Sequence, residues 1–105
     1  MDAVLDREHL IALIQRYADI LNSMLRVDSI YLFGSYARGM ADPESDIDLL
    51  VVSPDFGDDP VENQLLLRRA RRSLDYRIEP HLVCSGELGQ SVLFTIARDE
   101  MQRII

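Results

Sequence analysis

Polar and apolar positions along the chain follow two different rhythms. Apolar residues at Leu10, Leu13, Ile14, Tyr17, Leu21, Met24 and Leu25 keep the i, i+3, i+4 spacing of a helix with one buried stripe. Asp6 stands where an N-cap belongs, and Leu5 with Leu10 has the spacing of a hydrophobic staple. The period then shortens. Ser29–Phe33 (SIYLF) is a β-prone run ended by Gly34, and Asp46–Ser53 (DIDLLVVS) is acidic at its start and almost continuously apolar after it. A strand of the latter kind belongs at the centre of a sheet, covered on both faces. SPDFGDDP is rich in turn formers. Val61 to about Leu74 then predicts a helix, with Pro60 near its start and Leu65, Leu66 and Leu67 as core candidates. Asp75–Val83 (DYRIEPHLV) alternates as a third strand, in which Pro80 demands an edge position or a bulge. A helix over about Leu88–Arg98 and a short closing strand in QRII complete the order. This alternation predicts an α/β (α+β) fold: a small mixed sheet of three or four strands with helices packed on it, in a single domain over residues 1–105.

Composition narrows the picture. With 48% apolar and 28% charged residues the chain has a globular balance. No apolar stretch approaches the roughly 20 residues of a membrane span. MDAVLDREHL carries early acids and no hydrophobic signal region, so secretion is not expected. Cys84 is the one cysteine, which excludes an internal disulfide, suits a reducing cytoplasm and reads as a buried, unreactive thiol. A net charge of −7 argues against a general nucleic-acid binder, whose affinity rests on neutralising phosphates. The chain has no lysine, so any anionic ligand must be held by arginine, backbone N–H groups, hydroxyls or a bound metal.

That constraint bears on GSYARGMADPESDID, Gly34 to Asp48. Side chains alternate along a strand, so Asp46 and Asp48 share a face, with Cα atoms roughly 6.5 Å apart. Carboxylates so placed repel each other unless a cation lies between them. Mg²⁺ prefers such oxygen ligands together with substrate phosphates, and two ions sharing the pair can hold an in-line displacement at phosphorus. At the other end, Gly34 lets the backbone approach a ligand closely. Ser35 adds a hydroxyl donor, the following turn presents free N–H groups, and Arg38 lies one turn on. Each half alone is commonplace: two solvated acids, or a strand-to-helix turn with its glycine. With the two strands as neighbours, they become two walls of one site.

GSYARGMADPESDIDLLVV resembles the signature of the DNA polymerase β-like nucleotidyltransferase superfamily. In particular it resembles the minimal nucleotidyltransferase domains, with Gly-Ser, ten residues, then Asp-x-Asp. Gly34, Ser35, Asp46 and Asp48 fill the motif positions; Arg38, Gly39, Ser45, Ile47 and Leu49 match residues usual in the small members. The resemblance implies transfer of a nucleoside monophosphate, AMP from ATP, to an acceptor hydroxyl. Two Mg²⁺ ions would be held by Asp46 and Asp48, and the β- and γ-phosphates by Gly34 and Ser35, with Arg38 as the first cation for the triphosphate. It also implies a third carboxylate on a later strand, for which Glu79 in RIEPH is the best match, as metal ligand and aid to deprotonation, and Asp75 the rival. Small members are often encoded beside a helical HEPN protein and act as the antitoxin of a toxin–antitoxin pair, some by adenylylating a tyrosine of that partner. Two other readings stay open: a binding module that masks its partner without turnover, and a stand-alone small-molecule nucleotidyltransferase.

Three further features stay open. RRARR, Arg68–Arg72, is a helix end whose charges complement the dipole, a clamp for the triphosphate or a patch for an acidic partner. His81 shares a predicted face with Glu79 and Arg77, to orient the carboxylate, act as a base or cap the strand. Tyr36 stacks on a base or lies in the core.

Overall fold

A computed structural model describes residues 4–105; the first three residues of the opening stretch, read above as carrying no signal region, lie outside them. Helix α1 spans Arg7–Asn22, and the Asp6 carboxylate accepts from the His9 N–H at 2.8 Å as its N-cap. Its stripe buries Leu10, Ile14, Tyr17, Ala18 and Leu21. Met24 and Leu25 fall beyond the helix, and Met24 is exposed. The side chains stop the helix there: the Ser23 hydroxyl donates to the Ile20 carbonyl, and Asn22 Oδ1 accepts from the Val27 N–H.

Strand β1 (Ser29–Phe33) runs into the single turn α2 (Gly34–Ala37). Strand β2 (Ile47–Ser53), helix α3 (Pro60–Arg71) and strand β3 (Ile78–Cys84) follow. A 3₁₀ segment (Ser85–Gln90), a short helix α4 (Val92–Ile96) and the two-residue strand β4 (Gln102–Arg103) close the order. The sheet is four-stranded and mixed, in the order β3-β2-β1-β4, with β2 and β3 parallel and the other pairs antiparallel. β2 is central, as its apolar run predicts, and β3 is an edge strand, as Pro80 demands. Two β3 carbonyls are covered by α3: Gln64 Nε2 donates to Pro80 O at 2.9 Å and Arg71 Nη1 to Ile78 O at 2.7 Å.

Strand alternation divides the side chains between two layers. Ile30, Leu32, Ile47, Leu49, Val51 and Ile78 pack against α1 and α3 through Ile14, Tyr17, Leu21, Leu67 and Ala70. Tyr31, Phe33, Leu50, Val52 and Val83 point the other way, against Leu88, Leu93, Phe94 and Ala97 of the C-terminal segment. The Tyr17 hydroxyl donates to the Leu67 carbonyl at 2.8 Å and ties α1 to α3 inside the first layer; burial pushes this phenol well above its usual pKa. Tyr17→Phe should therefore cost about 1 kcal/mol in urea unfolding, from the lost buried hydrogen bond.

Three expectations are corrected. Leu65 is exposed, while Leu67 is buried and Leu66 is partly buried against the same core, because Leu65 lies on the face of α3 turned away from the sheet. β3 begins at Ile78, leaving Asp75 to Arg77 in a turn where the Asp75 carboxylate binds the Arg77 backbone and guanidinium. The last helix is two pieces: Ser91 adopts an extended backbone and its hydroxyl caps the Phe94 N–H, so the helix restarts at Val92.

Candidate active site

The open end of the sheet face carrying Phe33 and Leu50 gathers most of the chemistry of the sequence motif. Phe33, Asp48 and Glu79 are paired across β1, β2 and β3, forming one row over three strands. Glu79 thus stands beside Asp48 through the register of β2 and β3. The strand expected from Asp46 begins only at Ile47, which leaves Asp46 exposed in the residue pair before it, after a loop braced by Ser45, whose hydroxyl accepts from the Asp42 N–H. Asp48 is half-buried. Its pKa is raised, first by burial and then by the negative charges of Asp46, Glu79 and Glu100, with His81 opposing. His81 Nε2 lies 4.0 Å from Asp48 Oδ1, and its ring is tilted against Phe33 at 5.2 Å.

Gly34 is the tightest point. Its φ of +77° is left-handed, and a Cβ placed there would sit 2.2 Å from Asp48 Oδ2. The glycine therefore permits both the sharp exit from β1 and the close approach of that turn to the acid. Ser35 follows in α2, and Gly39, at φ +70°, closes the turn: the Met40 N–H bonds Ser35 O and the Gly39 N–H bonds Tyr36 O. With four residues, α2 is too short for a developed helix dipole, so its contribution is free N–H groups near Asp48 rather than a macrodipole. Tyr36 is buried and its hydroxyl accepts from the Leu5 N–H, which places it in the core and away from base stacking.

Two predicted residues are already engaged. Arg38 Nη1 pairs with Glu100 Oε2 at 2.7 Å. Glu79 pairs with Arg68 at 3.0 Å and with Arg71 at 3.7 Å. Among the described residues, no three of His, Cys, Asp and Glu stand close enough together to hold a metal ion between them. Asp75 lies elsewhere, lining a depression with His9 and Arg16 of α1, and its hydrogen bonds with Arg77 hold its carboxyl below the usual range. Glu100 carries no sequence signal; the turn after α4 and the pairing of β4 with β1 bring it here. Cys84 is only partly buried, at the opposite end of β3, beside a depression of about 480 Å³.

Residues 14–104 match the profile of the nucleotidyltransferase domain family. The chain belongs to that family. This nucleotidyltransferase is 32% identical over 71 residues to the Methanocaldococcus jannaschii protein MJ0141, provisionally named a protein adenylyltransferase, across 66% of this chain and 72% of that one. A candidate nucleotidyltransferase from Sulfolobus solfataricus superposes with a TM-score of 0.65 at 19% identity, over 91% of this chain and 79% of the other. A toxin–antitoxin structure with AMP-PNP superposes with a TM-score of 0.60 at 25% identity, over 96% and 73%. The nucleotidyltransferase has the polymerase β-like fold of these neighbours. Among the described residues no helix is long and apolar enough to cross a membrane.

Proposed function

We propose that this nucleotidyltransferase is a Mg²⁺-dependent protein adenylyltransferase that moves AMP from ATP to a tyrosine hydroxyl of a HEPN-type toxin partner and so acts as an antitoxin. The observation that carries the reading is the contact of Gly34 with Asp48: the turn suited to phosphate and the acid suited to a cation form one wall. The provisional name of MJ0141 and the toxin–antitoxin structure with AMP-PNP support the acceptor and partner.

The donor set fits a hard divalent cation. Asp46 and Asp48 offer only oxygen, and the negative charge crowded on Asp48 by Asp46, Glu79 and Glu100 is relieved by one. Glu79 completes the set only when Arg68 and Arg71 release it. When bound, such a cation supplies Lewis-acid stabilisation of charge at the reacting phosphate. The protein's own part is positioning. The backbone at Gly34 and the Ser35 hydroxyl hold the β- and γ-phosphates, and Arg38 joins them by leaving Glu100. The acceptor oxygen attacks the α-phosphorus, the bond to the oxygen bridging to the β-phosphate breaks, and pyrophosphate departs. The hydroxyl proton passes to the carboxylate and imidazole side of the row, where Glu79 and His81 stand.

Because Glu100 competes for Arg38, Glu100→Gln should tighten binding of a non-hydrolysable ATP analogue about three-fold in calorimetry, and Arg38→Ala should cancel the gain. One observation favours the masking alternative, the pairing of Glu79 with two arginines. Mass analysis of a co-expressed HEPN partner separates the two. An added AMP on tyrosine is expected; a tight but unmodified complex, with no pyrophosphate released from ATP, sinks the enzymatic reading.

A further inference from the structure

The arginines that hold Glu79 belong to a larger feature. Arg68, Arg69, Arg71 and Arg72 supply four of the eleven cations of a chain whose net charge is −7. At 100° per residue they cover roughly a 160° arc of the helix that also holds Leu65, while Leu67 and Ala70 face the core. With Leu65 and Tyr76 they line a groove of about 550 Å³. Tyr76 is 75% exposed, and Leu65 is exposed as well. Helix-dipole compensation accounts for a cation or two in the last turn, but not for an arginine-lined concavity whose lining also includes an aromatic ring and a leucine. Among the described residues neither Arg69 nor Arg72 has an ion-pair partner. The groove is also continuous with the site, since Arg68 and Arg71 are at once its wall and the partners of Glu79, the neighbour of Asp48.

We infer that this groove docks an acidic segment, with an apolar or aromatic residue in it, of the protein that supplies the acceptor hydroxyl. The inference deepens the activity proposed above by naming the chemistry of its acceptor. Charge complementarity selects the occupant: carboxylates meet Arg69 and Arg72, an apolar side chain meets Leu65 and Tyr76, and exposed aromatic and arginine side chains are the usual anchors of such contacts. The acidic remainder of the chain repels a nucleic acid, whose phosphates extend past a groove this small. Carboxylates that reach Arg68 and Arg71 compete for the partners of Glu79, so docking frees Glu79 toward Asp48 when the acceptor arrives.

Fluorescence anisotropy with a labelled glutamate-rich peptide carrying one tyrosine tests the groove in the absence of ATP. The full chain should bind it, more weakly as salt rises, and Arg69→Ala/Arg72→Ala should weaken binding about five-fold. Both residues lie outside the proposed catalytic set, and an unchanged Tm shows that the variant is folded. Equal binding by the variant, or preference for a lysine-rich peptide or a single-stranded RNA of equal charge, overturns the inference. Adding labelled ATP and Mg²⁺ separates it from the parent reading. Arginine-dependent binding without AMP transfer sustains the groove and counts against the transferase activity. Transfer whose peptide KM the variant leaves unchanged sinks the groove alone; a KM raised about five-fold at unchanged kcat supports both.

Discussion

Asp48→Asn should reduce pyrophosphate release on the order of a thousand-fold while raising Tm at neutral pH. The two effects have one cause. Asp48 is held half-buried among Asp46, Glu79 and Glu100, with its pKa raised first by that burial. A carboxyl raised in the folded state favours folding fully only below its unfolded pKa, near 3.8, and that contribution is lost as pH rises through the folded value. At neutral pH the ionised side chain therefore opposes folding, and asparagine of the same shape relieves it. The gain in Tm should vanish below about pH 3.8, where the wild-type side chain is also neutral. A thermal melt against pH with an activity assay checks both. Equal Tm at pH 7, or activity that survives, would show that Asp48 is an ordinary surface acid. Mg²⁺ should raise the Tm of the wild type more than that of the variant, because the cation neutralises the crowding that asparagine has removed.

Gly34→Ala should abolish turnover and also destabilise the fold by about 2 kcal/mol or more, lowering Tm by roughly 10 °C. Two costs add. The left-handed φ of +77° is unfavourable for alanine, and the new Cβ would lie 2.2 Å from Asp48 Oδ2 and 3.0 Å from its Cγ. Asp48 is fixed in the central strand, so the turn must move away from it, and the distance between phosphate turn and acid is lost. The double variant Gly34→Ala/Asp48→Ala separates the terms: removing the carboxylate relieves the 2.2 Å clash and leaves the backbone cost together with a tight 3.2 Å contact to the Cβ at position 48. Its stability loss should be smaller than that of Gly34→Ala alone. A loss as large or larger would show that the contact is not what demands glycine.

Local pattern determined much of this protein. β1 was legible residue for residue, because SIYLF is bounded by Gly34; β2 was legible from Ile47 onward, because its apolar run suits only a strand buried on both faces, while Asp46 falls outside it. Alternation put Glu79 on one face of β3, and the Asp6 cap and the Pro80 edge position also follow from chemistry carried by one or two residues. The Gly-Ser and Asp-x-Asp halves of the motif were legible as a pair because their spacing matches two strands joined by one turn. Tertiary structure decided what depends on a partner distant in sequence. Glu100 becomes a neighbour of Asp48 and a competitor for Arg38 only because the chain end returns to pair with β1. Arg68 and Arg71 reach Glu79 only because α3 crosses beside the edge strand, and Tyr36 is fixed as a core residue by Leu5, thirty-one positions earlier. A local pattern reports which face a side chain uses. Which charge meets it there is set by how the elements pack, and here that packing places arginines on Glu79 and a glutamate on Arg38.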